Sequence, residues 1–159
     1  MKIDVEERKR RAMQLFHEGY NCCQSVALAF SDVLKERQGL DEQQIMALTS
    51  GFGGGIGRLR EVCGCVSGMT FVAGALCPAP AGSPKRTENY ALVQEFAEKY
   101  RQENGSIVCR DLLGIRAAQK ESPVPSERTA EYYKARPCEE LVGCAAGILA
   151  TKLGESDFQ

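Results

Sequence analysis

Cys63-Gly64-Cys65-Val66-Ser67-Gly68-Met69-Thr70-Phe71-Val72-Ala73-Gly74-Ala75-Leu76-Cys77 is built almost entirely of apolar or small residues and runs into Pro78 and Pro80. It reads as a buried helix, with a buried strand as the alternative. Gly64 and Gly68, four apart, let another backbone approach this helix closely. The segments around it follow a helical period. Upstream, Asp4 to His17 carries Val5, Ala12, Met13, Leu15 and Phe16 among charges, an amphipathic helix closed by Gly19. Asn21 and Gln24 have capping-box spacing, and the apolar stretch Val26 to Leu34 continues the helix they open. Asp41 to Thr49 is a third, short helix. Gly51-Phe52-Gly53-Gly54-Gly55-Ile56-Gly57 is too rich in glycine to be a stable one.

Downstream, Ala79 to Ser83 is a turn. Thr87 to Glu103 is an amphipathic helix with Tyr90, Val93, Phe96, Ala97 and Tyr100 on one side, ended by Asn104-Gly105. Ser106 to Leu113 starts a short helix closed by Gly114, Pro123 and Pro125 mark a loop, and Pro137 opens a last helix over Cys138 to Leu153. The tail 154–159 is polar. No alternating strand pattern and no repeat is visible. The expected fold is all-α: one domain over 1–159, a bundle of six to eight helices with a glycine-rich loop before a buried helix.

Composition narrows the function. A chain of 159 residues fits a single domain with an adequate core. Twenty Lys plus Arg against 21 Asp plus Glu gives a net charge of −1, which argues against a nucleic-acid or anionic-membrane binder. No apolar run reaches the ~18 residues of a membrane span. The start, with the basic run Arg8 to Arg11, lacks the apolar segment of a secretory signal. That run reads as the solvated face of a helix, and the expected location is cytoplasmic. Eight cysteines in such a chain point to metal or redox chemistry rather than a disulfide framework.

Four of the eight share one local context. Cys22 follows the Asn21 cap, Cys63 follows the glycine loop at a helix start, Cys109 lies three residues after Ser106, and Cys138 follows Pro137. Each falls within one turn of a helix N-terminus, where free amides and the positive end of the dipole stabilise a thiolate. The other four read as small packing residues. Within a helix Cys65 points about 200° from Cys63, Cys23 about 100° from Cys22, and Cys77 lies ~21 Å along the axis from Cys63. Cys144 is on the wrong face relative to Cys138. No pair forms C-x-x-C, so any site is assembled from distant segments.

Asn21-Cys22-x-Gln24, the glycine loop followed by Cys63-Gly64-Cys65-Val66-Ser67-Gly68, Val108-Cys109-Arg110-Asp111-Leu112-Leu113-Gly114, and Cys138 together resemble the C_GCAxxG_C_C family over roughly 19–147. Cys65 departs from the alanine usual in its C-G-A-x-x-G box, adding an extra thiol beside Cys63. The resemblance implies a small bacterial or archaeal protein, suspected of redox activity or cluster binding, with no assigned reaction.

The first expectation is a redox accessory protein that holds an iron–sulfur cluster through Cys22, Cys63, Cys109 and Cys138 and passes electrons to a partner oxidoreductase. Zinc is the alternative occupant. Gly53, Gly54, Gly55, Gly57 and Gly64 would cradle anionic sulfur through backbone amides, strengthened by Arg58 and Arg60; a turn for close helix packing is the structural alternative. The second expectation is metal-free thiol–disulfide chemistry, with Cys63 attacking and Cys22 resolving. The third is a non-catalytic helical binding module whose cysteines are core. His17, the only histidine, is a ligand or proton-donor candidate or, alternatively, a surface or capping group. Glu139 and Glu140 suit the first turn of the last helix. Tyr132-Tyr133 serves packing or a homodimer contact, and a homodimer is also suggested by the glycine-rich apolar helix.

Overall fold

The structure is a computed structural model that describes residues 2–115 and 121–158; Gln159, the end of the polar tail, lies outside them. Nine helices account for most of the described chain: α1 Val5–His17, α2 Cys22–Leu28, α3 Ser31–Gln38, α4 Glu42–Thr49, α5 Gly64–Leu76, α6 Lys85–Asn104, α7 Cys109–Leu113, α8 Ala130–Ala135 and α9 Cys138–Leu153. The fold is a single all-α domain. Extended pairing among the described residues is limited to an isolated antiparallel bridge between Val62 and Val108.

Local chemistry sets the starts. Asp4 accepts from the Glu7 amide at 3.0 Å to cap α1. Asn21 and Gln24 form a reciprocal capping box on α2, and Asp41 with Gln44 repeats it on α4. Two boundaries differ from expectation. The stretch Val26 to Leu34 is not one helix: Phe30, at φ −118°, ψ 26°, leaves helical geometry, and its fully buried ring turns the chain into α3. Helix α8, opened by the Thr129 hydroxyl accepting from the Tyr132 amide at 3.2 Å, has too short a pattern to be foreseen.

Helix α5 lies at the centre, as its apolar composition requires. It rests on α2 through its glycines. A Cβ on Gly68 would lie 2.8 Å from Val26 Cβ, and one on Gly64 would lie 3.1 Å from Cys22 Cβ. Helices α6 and α9 close over it, and α1 packs along α9, where a Cβ on Gly143 would lie 2.8 Å from Met13 Sδ. Helix α6 buries Leu92, Phe96 and Tyr100, a face rotated from the expected one, so Tyr90 is 58% exposed. No described helix is long and apolar enough to cross a membrane.

Arg8 also departs from the solvated-face reading, being only 4% exposed. Its guanidinium grips Asp32 bidentately, both contacts 2.6 Å, donates to the Ala29 carbonyl at 2.7 Å, and lies over the Phe30 ring. The break between α2 and α3 exposes that carbonyl and supplies the pocket. Asp32→Asn should therefore cost about 2 kcal/mol at pH 7, less than a fully buried pair because Asp32 is partly exposed. Arg8 holds the Asp32 carboxyl below the usual range. Its contribution is thus complete above about pH 4 and is lost as pH falls through the depressed folded value. Urea midpoints of wild type and D32N should differ at neutral pH and converge in acid.

Candidate functional site

Cys22 is the first residue of α2, Cys63 the N-cap of α5, Cys109 the first residue of α7 and Cys138 the first of α9. These four helix starts converge on one cavity of about 360 Å³. Cysteines 63, 109 and 138 are buried and Cys22 is half-buried. The bridge between Val62 and Val108 brings two of the segments together. The Cys63 amide donates to the Ile107 carbonyl at 2.8 Å, and the Cys109 amide to the Glu61 carbonyl at 2.6 Å. Ser106 is not the cap of α7, whose cap is Val108; the Ser106 hydroxyl instead accepts from the Val108 amide at 3.0 Å.

The glycine loop forms one wall. Residues 54–58 all have positive φ, one turn of left-handed backbone, which Gly54, Gly55 and Gly57 adopt without penalty. Ile56 and Arg58 share it and Arg60 repeats it, so the loop stores strain at the cavity's edge. The expected nest of amides is partly used by the loop itself: the amides of Gly57, Arg58, Arg60 and Glu61 donate to Gly51, Gly53, Gly54 and Gly55 carbonyls. Absence of side chains matters as well. A Cβ on Gly53 would lie 2.6 Å from Asn21 Cβ, and one on Gly55 2.7 Å from Cys109 Cβ. Gly53, Gly54, Gly55, Gly57 and Gly64 all line the cavity.

Cys65 corrects the sequence reading. Cys63, at ψ 134°, is outside the helix, so a helical rotation of 100° per residue does not apply between the two. The buried Cys65 thiol therefore interacts with both Cys63 and Cys22. Hydrogen bonds from Cys138 and Cys65 hold the Cys22 thiol well below its ordinary value, against the opposing effect of burial. Cys63 is lowered by Cys65 and, more weakly, by Tyr100, whose hydroxyl is 3.3 Å from its sulfur. Cys65 and Cys138 are pushed up in turn by the sulfurs to which they donate. Burial raises Cys109, offset by Arg60, whose Nη1 donates to the Cys109 sulfur at 3.7 Å.

The remaining candidates separate cleanly. Cys23 is buried and pushed up to about 12 by desolvation, an inert packing thiol. Cys77 and Cys144 are half-exposed rather than buried and do not line the cavity; Cys144 donates to Glu103 at 3.0 Å. His17 stacks on Tyr133 and pairs with Glu139 at 2.8 Å, away from the cavity wall. Arg58 and Arg60 both engage Glu121. Arg128 and Arg136 line the cavity too and had no signal in the sequence, since they flank a short helix that the pattern did not reveal. Among the described residues no three His, Cys, Asp or Glu side chains are gathered as for a single metal ion.

The family described as "Putative redox-active protein (C_GCAxxG_C_C)" matches residues 20–152. An uncharacterized protein of Archaeoglobus fulgidus is 27% identical over 158 residues, covering 94% of this chain and 95% of its own length. No solved structure matches the chain.

Proposed function

The chain belongs to the C_GCAxxG_C_C family, and from that premise we propose that its redox centre is an iron–sulfur cluster held in the cysteine cavity by Cys22, Cys63, Cys109 and Cys138, exchanging electrons with a partner oxidoreductase. The observation that carries this reading is the convergence of four helix-start cysteines on one cavity. The donor set is all sulfur, which suits iron–sulfur chemistry.

A bound cluster would supply one-electron transfer. The protein's own residues would set its surroundings. Helix N-termini at all four cysteines favour negative charge on sulfur. Arg60 donates to Cys109 and the Tyr100 hydroxyl lies on Cys63, both of which stabilise a charged sulfur. The glycines keep the wall free of side chains, and burial of three of the four thiols limits water.

A second reading is favoured by one specific observation: Cys65 interacts with both Cys22 and Cys63. A thiol at position 65 that reaches both Cys22 and Cys63 suits thiol–disulfide exchange without a metal, Cys63 attacking and Cys22 or Cys65 resolving. Protein purified without oxygen separates the readings. The cluster reading expects visible absorption with iron and labile sulfide in proportion. Colourless protein containing zinc would replace the cluster by zinc. Colourless, metal-free protein that loses thiols in pairs on oxidation would establish the disulfide reading.

A further inference from the structure

The cavity wall carries Arg58, Arg60, Arg128 and Arg136 and, among the described residues, no carboxylate. Two of these arginines have evident tasks. Arg58 and Arg60 are paired with Glu121, and Arg60 also donates to the Cys109 sulfur. Arg128 and Arg136 differ: among the described residues neither forms an ion pair with a carboxylate and neither donates to a sulfur, Arg136 acting on Glu121 only at longer range.

Both are nevertheless held in place. Arg128 donates to the Phe16 carbonyl at 2.9 Å and the Tyr20 carbonyl at 3.1 Å, with its guanidinium 4.1 Å from the Phe16 ring centroid and 5.0 Å from that of Tyr132. Arg136 lies 5.0 Å from the same Tyr132 centroid and donates to Ser126 Oγ at 3.4 Å. The Tyr132 ring thus fixes two guanidinium groups at the cavity. Each guanidinium has five N–H donors, so most of those on this pair meet no acceptor among the described residues. Cys22 and Cys138 line the same cavity as Arg128 and Arg136, so the pair shares it with two of the thiols. The cavity volume, about 360 Å³, is within the range of small-molecule sites.

We propose that this cavity binds a small anion with an oxyanion or carboxylate head, gripped by Arg128 and Arg136 next to Cys22 and Cys138. Planar forks of this kind recognise such heads bidentately. The proposal names the substrate class of the redox site and rests on that reading for what the anion is there to do.

Equilibrium dialysis of the full chain against radiolabelled sulfate and, separately, radiolabelled acetate tests it at fixed ionic strength. At least one of the two should bind saturably at one per chain, in roughly the millimolar range or tighter. Sulfate alone assigns an oxyanion substrate, acetate alone a carboxylate. R136Q should weaken binding about tenfold, and R136K, which keeps charge but loses the fork, should weaken it less. Circular dichroism checks folding, and R136K alone decides if R136Q does not fold. No saturable binding of either anion, or equal binding by wild type and the folded variants, overturns the proposal. Measured on protein as purified and again after a chelator, the result separates from the cluster reading. Binding by protein that is colourless and metal-free as purified sustains the anion site and sinks the cluster; colour without binding, before and after the chelator, does the reverse.

Discussion

Cys22→Ser protein purified without oxygen should hold no more than about a tenth of the wild-type iron and show no visible band, the loss expected for a ligand when outer-shell changes alone cost 10–100-fold. Cys22 is the strongest choice because Cys65 and Cys138 both donate to it, making it the hub of the thiol group. Serine preserves the size of the side chain at the first position of α2 and leaves the Asn21–Gln24 capping box intact, so the fold should survive. Cys77→Ser and Cys144→Ser are the controls, since both side chains lie off the cavity, and neither should change the iron content. Cys65→Ala restores the residue usual in the family's box and should keep the cluster. Under the disulfide reading the pattern is different: wild type carries no iron, and C22S changes the thiol count on oxidation. Retention of full iron by C22S would remove Cys22 from the ligand set.

Gly55→Ala should lower stability by about 3 kcal/mol, combining left-handed backbone strain with overpacking. Gly55 has φ +68°, and a Cβ there would lie 2.7 Å from both Cys109 Cβ and the Glu61 amide nitrogen. The Glu61 contact is backbone within the segment that pairs with Cys109, so relief requires the whole wall to move. For a domain of this size the loss corresponds to roughly 6–12 °C in Tm. Gly57→Ala isolates the backbone part. Its φ is +54°, but the nearest atom to a Cβ is the Gly51 carbonyl oxygen at 4.0 Å. That variant should lose only about 1 kcal/mol. Thermal unfolding followed by circular dichroism compares the two; equal losses would mean that the close approach of Gly55 to Cys109 is not what the glycine provides.

Most of the fold was readable because its signals are local. Asn21 with Gln24, the apolar run from Gly64 to Leu76, Gly105 and Gly114 at helix ends, and Pro137 before α9 each act over a few residues. The errors fall where a distant partner overrides a local pattern. Phe30 breaks an apolar stretch because its ring is buried, and Arg8 leaves its charged run because Asp32 and the Ala29 carbonyl meet it. Cys65 was assigned away from the site by helical geometry that begins one residue too late to include Cys63.

The sequence by itself determined that Cys22 and Cys138 stand at helix starts, since the Asn21–Gln24 box and Pro137 act on neighbouring residues, whereas the starts at Cys63 and Cys109 carry no side-chain cap and lie on segments that pair with each other. That these starts meet was decided by tertiary structure alone. Residues 22, 63, 109 and 138 are joined only by packing: glycines that let α2 and α5 approach, a bridge pairing Val62 with Val108, and α9 buried against α1. The arginines at 128 and 136 belong to the same class of fact. Tyr132 stands four residues from each, but only the fold brings it and Arg128 against Phe16, more than a hundred residues earlier in the chain, and onto the cavity the four cysteines line.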